Sequence, residues 1–478
     1  MAEFEAMPLV MPPPIDPCLW GTIATDVAMV SRADGEALEA RRSQRLRRLL
    51  DVARERSPYY RRVLRNRDID RVRLEDLPVA RKCELMSHFD QWVTDPGIRL
   101  DGLRGFISDA SRIAEPYLGR YLAWESSGSS GEPGIFVQDD LALAVFDALD
   151  AVRRPMLRPM PHLFDPWGWG ERVAFVGATN GHFASTVSIE RLRRLNPVLW
   201  QRLHCISFMQ PIEAIVREID ALAPTVIATY PSAAALLAQE RLGGRMRTVP
   251  REVWTGGEDL SPAKREFIRQ AFGCQLINSY GASEFLSLAF ECDQGAMHLN
   301  ADWAILESVD GRGRTVPAGE AGATVLLTNL ANHVQPIIRY DLGDRVTLHA
   351  NGCSCGSHLP VIEVQGRCED TLCLGSERAG SIQVLPLALS TAIEEGAGLF
   401  DFQVVQKGRC ELLLCTGSRS ADAERALQRA QRVLGEFLRS QGATGVRIEC
   451  RAGQPGRVGR SGKVSRVIAA PAASPGGP

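Results

Sequence analysis

Short apolar runs alternate with helical patterns between residues 172 and 278, and this alternation constrains the fold more than any other feature. The apolar runs are typical of buried strands, and helical patterns follow two of them at 233–242 and 262–272. Strands that alternate with helices form a largely parallel sheet, whose loops at the strand ends carry the functional site. The sequence therefore predicts an α/β fold with mostly parallel sheets, and the predicted strands cover residues 172–176, 225–229, 252–255 and 275–278.

The length of 478 residues indicates two or three domains rather than one. We predict a large N-terminal domain over residues 1–366 and a mobile C-terminal α+β lid over 367–468, where the order of elements is strand, strand, helix, strand. Within the large domain, helical spacing predicts a helical region over 41–110, and short alternating strands predict a β-rich part over 301–366. The Ala-, Pro- and Gly-rich tail at 469–478 predicts disorder.

Composition and charge exclude several classes of function. With 45% apolar residues, 23% charged residues and a net charge of −2, the chain is typical of a globular protein that attracts neither nucleic acid nor an anionic membrane. Residues 1–17 lack the pattern of a signal peptide, and no apolar run approaches the roughly 20 residues of a membrane span. Twelve cysteines without a secretion signal indicate a reducing cytoplasm. We therefore expect a cytoplasmic protein without nucleic-acid or membrane partners, and a homodimer stays open.

A Gly/Ser-rich run at 125–134 lies between two apolar segments. Glycines let the backbone approach a ligand, so that consecutive N–H groups can converge on an anion, and serine hydroxyls add further donors. A flexible linker is the alternative interpretation, although linkers rarely have strands directly on both sides. The run predicts a polyphosphate loop whose binding residues are Ser126, Ser127, Gly128, Ser129, Ser130 and Gly131.

Lys463 lies in a second Gly/Ser-rich stretch near the C-terminus. The chain has only four lysines among 55 basic residues, so arginine is its usual cation. Lysine is a compact charge on a mobile stem, whereas arginine is a rigid fork. A lysine in this stretch therefore indicates a group that reaches into a site, although a surface lysine is the alternative.

Further motifs accompany the loop in a fixed order. Residues 278–284 read NSYGASE, 339–344 read RYDLGD, and Gly-Arg at 366–367 precedes Ser-Gly-Lys at 461–463. Together they resemble the motifs of the adenylate-forming enzymes, the superfamily of acyl-CoA ligases, luciferases and peptide-synthetase adenylation domains. The resemblance covers nearly the whole chain. Within the superfamily, the chain resembles the phenylacetate–CoA ligase-like branch, and the segments that carry this resemblance are 57–61, 77–82, 292–300 and 353–356.

The resemblance implies a site for ATP. It implies that Asp344 accepts hydrogen bonds from both ribose hydroxyls, which an ionised carboxylate can do, and that Arg367 contacts the ribose or a phosphate. It also implies that Tyr280 lies against the adenine ring. The other nucleotide-binding residues that it implies are Gly256, Gly257, Glu258, Ser279 and Gly281.

Catalytic roles follow from the same resemblance. Ser283 would bond to the α-phosphate, and Glu284 would hold a Mg²⁺ ion that bridges the phosphates. Lys463 would bind both the carboxylate and the α-phosphate while the transition state gathers charge.

A pocket for the acid is expected near His182, since the superfamily often places an aromatic residue or a histidine there. The alternative, given equal weight, is a histidine that only makes hydrogen bonds within its own loop. The residues expected in this pocket are His182, Tyr230 and Ser279.

Two positions depart from the superfamily pattern. Glu132 stands where the phosphate loop usually carries lysine, and an acid beside a triphosphate is repulsive. Glu369 stands at the hinge position that is commonly Asp, and it keeps the charge, so we expect hinge function to survive. The loop at 372–380 matches the branch only loosely, which leaves the identity of the acyl acceptor open.

Three cysteines and a histidine form a candidate metal site. Cys292 and His298 lie six positions apart, and Cys353 and Cys355 follow. A Cys₃His set suits tetrahedral structural zinc. The alternative is a set of buried thiols beside a loop histidine, because the C-x-C spacing is tighter than usual.

These inferences predict an enzyme that activates a carboxylic acid, by resemblance an aromatic one, to an acyl-adenylate with release of pyrophosphate. The acyl group would then pass to a thiol, that of coenzyme A. The alternatives are an amine, a hydroxyl or a carrier-protein thiol as acceptor, or a nucleotide-binding protein without turnover. The cofactors predicted are ATP, Mg²⁺, structural Zn²⁺ and coenzyme A as co-substrate.

Overall fold

The computed structural model describes residues 16–126, 133–157, 170–179, 181–208, 210, 212–349, 352–367, 372–376, 380–384, 386–454 and 466–469. In these residues the helices of the first part of the chain are α1 (Pro17–Val30), α2 (Gly35–Arg56), α3 (Pro58–Val63), α4 (Lys82–Ser87), α5 (Phe89–Trp92), α6 (Leu100–Ile107), α7 (Asp140–Ala148) and α8 (Arg154–Leu157). The later helices are α9 (Ala184–Leu195), α10 (Pro197–Arg202), α11 (Ile212–Leu222), α12 (Pro231–Leu242), α13 (Pro262–Phe272), α14 (Pro386–Ala397) and α15 (Ala421–Ser440). None of the helices in the described part is both long and apolar enough to cross a membrane.

The strands of the large domain are β1 (Leu122–Glu125), β2 (Ile135–Gln138), β3 (Val173–Gly177), β4 (Leu203–Ser207), β5 (Val226–Thr229), β6 (Glu252–Gly256), β7 (Gln275–Ala282), β8 (Phe285–Glu291), β9 (Met297–Leu299), β10 (Ala304–Val309), β11 (Thr324–Asn329), β12 (Ile337–Asp341), β13 (Asp344–His349) and β14 (Val361–Arg367). Beyond them lie β15 (Leu372–Ser376), β16 (Gly380–Val384), β17 (Gln403–Gly408), β18 (Glu411–Thr416), β19 (Arg447–Ala452) and β20 (Val467–Ile468).

A nine-stranded sheet dominates the large domain, in the order β13-β14-β9-β8-β7-β6-β5-β3-β4. From β4 to β7 the neighbouring strands are parallel, as the alternation of strands and helices predicts. From β7 to β13 they are antiparallel, because β8 and β9 follow β7 through short turns that leave no room for a crossover helix. The predicted α/β class is confirmed.

Helix boundaries in this domain follow local capping chemistry. Ser57 ends α2, and its hydroxyl accepts a hydrogen bond from the Tyr60 backbone N–H at 3.2 Å, so Ser57 also begins α3 with Pro58 in the first turn. Helix α13 begins after Ser261, which caps it, and ends at Gly273 with φ +62°. These caps place both ends of α13 where the sequence predicts them.

The β-rich stretch after residue 301 divides between two sheets. Strands β10, β11 and β12 form a three-stranded antiparallel sheet. Strands β13 and β14 instead extend the nine-stranded sheet, where β14 pairs with β9. The last strand of the large sheet therefore leads directly into the predicted domain boundary at Gly366 and Arg367.

The predicted lid has its own core. Strands β19-β18-β17-β20 form a sheet, and α14 and α15 pack together beside it. Leu427, Leu434 and Leu438 lie on one face of α15 and are buried. The order strand, strand, helix, strand is present as predicted. The β15–β16 hairpin, α14 and the short β20 are elements that the sequence did not indicate.

Candidate active site

Several of the predicted nucleotide and acid residues, among those that the structure describes, lie at one edge of the large sheet. Strands β5, β6 and β7 run parallel, so their carboxyl ends meet at the same edge. Tyr230 follows β5, residues 256–258 end β6, and residues 279–284 occupy the end of β7 and the turn after it. Separate segments of the sequence are thus brought together where the α/β rule expects a ligand.

The end of β6 approaches β7 unusually closely. Gly256 lies opposite Ser279 in the parallel pair, and a Cβ added at Gly256 would lie 2.8 Å from the Ser279 hydroxyl oxygen. Gly257 has φ +77°, a conformation that favours glycine. Glu258 then turns back, and its carboxylate accepts a hydrogen bond of 3.0 Å from the Ser232 N–H in the first turn of α12.

Tyr280 and Asp344 meet at the junction of β7 and β13. The Tyr280 hydroxyl donates a hydrogen bond of 2.7 Å to the Asp344 carboxylate. Arg367 lies opposite Asp344 in the antiparallel pair of β13 and β14. Three residues predicted for the nucleotide site therefore come together from three separate motifs.

This end of the site is acidic. Asp259 is almost fully buried, and burial raises the pKa of its carboxyl to about 6; the cation of Lys264 opposes the rise, while Asp344 and Glu258 add to it. Carboxylates at this density repel phosphate groups but accept hydrogen bonds from hydroxyls. The region around Asp344 thus suits a sugar better than a phosphate.

Two side chains hold the backbone of the turn after β7. The Trp124 indole N–H donates a hydrogen bond of 2.8 Å to the carbonyl of Ser283, and the Asn329 amide donates one of 2.8 Å to the carbonyl of Glu284. A Cβ added at Gly281 would lie 1.9 Å from the Leu286 carbonyl oxygen, so the turn requires glycine there. Neither Trp124 nor Asn329 was predicted, although Trp124 comes just before the Gly/Ser-rich run.

The Gly/Ser-rich run falls between the two antiparallel strands β1 and β2. Ser126 closes its base, because its hydroxyl accepts a hydrogen bond of 2.8 Å from the Gly134 N–H and its own N–H donates one of 2.8 Å to the Gly134 carbonyl. The predictions that lie outside the described residues are those for Ser127, Gly128, Ser129, Ser130, Gly131 and Glu132.

His182 is buried beside the base of this hairpin. Its carbonyl accepts a hydrogen bond of 2.7 Å from the Glu125 N–H, and its Nδ1 lies 3.1 Å from the Ile107 carbonyl. Burial lowers the pKa of its imidazole to about 4, while the nearby Asp109 opposes the shift. Within the described residues its Nε2 has no hydrogen-bond partner. The ring is therefore neutral and presents one polar atom to its surroundings.

Tyr230 lies at the opposite side of the same edge. Its ring lies edge-on to that of Phe208, with the two ring centroids 6.4 Å apart. Burial raises the pKa of the Tyr230 hydroxyl, although a hydrogen bond with Ser185 opposes this rise. Tyr230 lines a cleft together with Ser232 of α12 and residues 400–402 of the predicted lid.

The predicted metal ligands lie together at the far end of the large sheet. The ligand atoms of Cys292, His298, Cys353 and Cys355 all fall within 4.8 Å of one another. The Sγ atoms of Cys292 and Cys353 are 3.8 Å apart, and the Cys355 Sγ is 3.3 Å from His298 Nε2. His298 Nδ1 lies 2.9 Å from the Leu359 carbonyl, which orients the ring with Nε2 towards the thiols.

Lys463 and Glu369 lie outside the described residues, so their predicted roles stay predictions. The chain is described again from Arg466, three residues after Lys463. Arg466 was not predicted as a site residue, but its guanidinium pairs with Glu394 of α14 at 3.6 Å.

The chain is similar to several known proteins. A family model described as AMP-binding enzyme matches residues 201–327. The phenylacetate–coenzyme A ligase of Thermus thermophilus is 27% identical over 375 residues, which is 74% of this chain and 76% of that protein. Among solved structures, 2-hydroxyisobutyryl-CoA ligase in the postadenylation state is 20% identical with a TM-score of 0.65, covering 92% of this chain and 91% of that chain. The same ligase in the thioesterification state, with 2-HIB-AMP and CoA, has 20% identity, the same coverage and a TM-score of 0.53.

Proposed function

We propose that the chain is an AMP-binding enzyme of the adenylate-forming superfamily, and its reaction follows from that assignment. The enzyme joins a carboxylic acid to AMP, so that the acid's oxygen attacks the α-phosphate of ATP and pyrophosphate leaves. A thiol then attacks the acyl carbon, a thioester forms and AMP leaves. The acid is aromatic and the thiol is that of coenzyme A, as in the name of the Thermus relative.

The observation that best supports this proposal is that β7 and the turn after it contact both ends of the proposed nucleotide site. Tyr280 bonds to Asp344 at the acidic end, which suits the ribose and the adenine. Three residues later, Ser283 is held by Trp124 of the hairpin whose loop begins at Ser126. A nucleotide laid along this turn would place its sugar at Asp344 and its phosphates at the Gly/Ser-rich loop.

The remaining roles follow the direction of that nucleotide. Ser283 would bond to the α-phosphate, and the buried Glu284 would hold Mg²⁺, which offsets phosphate charge when bound. Lys463 would supply a cation for the charge that develops at the α-phosphate. Gly256, Gly257 and Glu258 would border the adenine, and Arg367 would contact the ribose or a phosphate.

The acid pocket would lie between His182 and Tyr230, with Ser279 at its side. A neutral imidazole and apolar neighbours such as Phe106, whose ring centroid is 5.5 Å from that of His182, suit an aryl group next to a carboxylate. The lid beyond Gly366 would turn at Glu369 between the two half-reactions.

The experiment that tests the reaction is ATP–pyrophosphate exchange with magnesium across a panel of aryl and short aliphatic acids, without any acceptor. Exchange that depends on one aryl acid supports the proposal and identifies the substrate. Coenzyme A, an amine and a carrier-protein thiol are then offered to the adenylate in separate reactions. Measurable ATP binding without exchange for any acid would contradict the proposal and favour a nucleotide-binding protein without turnover.

We also propose that the four residues at the far end of the sheet bind structural zinc. Tetrahedral Zn²⁺ with Zn–S bonds of about 2.3 Å separates its sulfur ligands by nearly 3.8 Å, the distance that Cys292 and Cys353 show. The site has four protein ligands and therefore no open position for chemistry. It would join the turn between β8 and β9 to the loop before β14, the strand that leads to the hinge.

A further inference from the structure

Lys264 is the one lysine of the chain that lies buried in the described residues of the large domain, and the proposed reaction gives it no role. Its residue is 1% exposed at the start of α13. Its Nζ lies 2.9 Å from the Glu394 carboxylate, which is also buried and belongs to α14 of the lid. An ion pair without access to solvent therefore crosses from the large domain to the lid.

Glu394 contacts three partners at once. Besides Lys264, its carboxylate accepts a hydrogen bond from the Ser261 hydroxyl, the cap of α13, and pairs with the Arg466 guanidinium at 3.6 Å. Arg466 also donates to the carbonyl of Phe400 within the lid. One carboxylate thus connects the large domain to the end of the segment that carries Lys463.

Apolar contacts accompany this charge cluster. Phe400 stacks on Phe267 of α13 with ring centroids 4.3 Å apart and planes at 15°. Phe400 is a lid residue, yet it is buried in the apolar cluster that α11, α12 and α13 form against the sheet. Gly366, at the predicted domain boundary, lies so near Asp259 that an added Cβ would be 2.9 Å from the Asp259 carboxylate.

A buried ion pair contributes little net stability, because desolvation offsets the attraction, and its best-attested use is to specify one arrangement. We propose that Lys264 and Glu394 form a latch that holds the lid in the orientation used for adenylation, and that both are positioning residues for the Lys463 segment. The proposal rests on the proposed function. Two observations support the choice of orientation. Arg466, three residues after Lys463, pairs with Glu394 at the interface. The chain also has a higher TM-score with the ligase in the postadenylation state, 0.65, than with the ligase in the thioesterification state, 0.53, and the former is the state that directly follows adenylation.

The latch has a specific energetic signature. In Lys264→Met, Glu394 loses its closest cation but stays buried as long as the lid keeps the orientation used for adenylation, here called closed. A buried carboxylate without this cation is costly, so the lid should spend more time in orientations in which Glu394 is solvated. In Lys264→Met/Glu394→Gln, the carboxylate is replaced by a neutral amide, which leaves no unpaired charge and can still accept the Ser261 hydrogen bond. The double variant should therefore recover the closed orientation that the single variant loses.

The test compares these variants with wild type and with Lys407→Met, which removes an exposed lid lysine. Hydrogen exchange is measured on peptides from α13 and α14, and two rates are measured: ATP–pyrophosphate exchange and thioester formation from supplied acyl-adenylate. We expect Lys264→Met to expose both helices and to slow pyrophosphate exchange by at least about tenfold, while thioester formation changes by less than about threefold. The double variant should recover most of the loss, and Lys407→Met should match wild type.

Equal losses in both half-reactions, or unchanged exchange at α13 and α14, would overturn the latch. Should Lys264→Met fail to fold, Glu394→Gln alone and the double variant give the same comparison. If the wild-type protein adenylates no acid, the hydrogen-exchange measurements still decide whether the latch exists, so its failure and that of the proposed reaction are distinguishable.

Discussion

Tyr280 and Asp344 lie 64 positions apart in the sequence, and the phenol of one donates a 2.7 Å hydrogen bond to the carboxylate of the other. The bond orients the carboxylate at the point where the proposed ribose would bind. A carboxylate has two oxygens that can each accept more than one hydrogen bond, so the phenol and a sugar hydroxyl can share it. The pair therefore connects the adenine contact with the ribose contact.

Removing the phenol should weaken ATP binding without abolishing turnover. A hydrogen bond to a charged group contributes about 1.5–3 kcal/mol, so we expect Tyr280→Phe to raise the KM for ATP by about ten- to a hundredfold, with little change in kcat. Asp344→Asn should have a larger effect, since it removes the charge that meets the ribose. Steady-state kinetics of pyrophosphate exchange with varied ATP measures both.

Tyr59→Phe is the matched control for that series. Tyr59 also donates a 2.7 Å hydrogen bond to a carboxylate, that of Glu84, but in the N-terminal helices. Its replacement should leave the KM for ATP unchanged. An equal rise in KM for both tyrosine variants would show that the effect comes from general destabilisation rather than from the nucleotide site.

Lys463→Ala should separate binding from chemistry. A positioned donor that acts only in the transition state is worth about 10²–10³-fold in rate, so pyrophosphate exchange should fall by that factor. ATP affinity, measured by calorimetry, should change by less than about threefold. Lys407→Ala, an exposed lysine in the lid, should retain full activity. Unchanged exchange in Lys463→Ala would show that this lysine takes no part in the reaction.

Removing two cysteines tests the proposed zinc site. Freshly purified protein should contain about one zinc per chain, and Cys353→Ser/Cys355→Ser should lose it and unfold at a lower temperature. The control is Cys373→Ser/Cys410→Ser, which replaces two exposed cysteines of the lid and should keep the metal. Elemental analysis gives the metal content and calorimetry gives Tm. Wild-type protein that contains no metal would contradict the proposal.

Local chemistry explains which parts of the fold the sequence could predict. Helix α13 occupies its predicted bounds because Ser261 and Gly273 are capping residues that act on their own neighbours. Pro58 likewise marks the end of α2. Strands β3, β5, β6 and β7 could be recognised because each is a short apolar run next to a helix, whereas β4 was not predicted.

Contacts between distant segments were beyond prediction. Nothing in the sequence near β14 shows that it pairs with β9 rather than with the three-stranded sheet. Similarly, Trp124 and Lys264 each have an ordinary local pattern, and their partners Ser283 and Glu394 are more than a hundred residues away. The motifs therefore predict residues of a site, but only the structure shows the contacts that these residues make.

The neutral, buried His182 should make stability depend on pH. The pKa of its imidazole is about 4 in the folded protein because burial disfavours the charged form, whereas an exposed histidine titrates near 6.5. Above pH 6.5 the ring is neutral in both states and adds no pH dependence. Between pH 6.5 and 4 the unfolded state takes up the proton first, so the free energy of unfolding decreases by about 3 kcal/mol as the pH falls. In His182→Gln that part of the slope should disappear, whereas His358→Gln, at an exposed position, should keep it. Urea denaturation at several pH values between 4 and 7.5 measures the slope, and equal slopes in wild type and His182→Gln would show that His182 does not stay neutral in the folded protein.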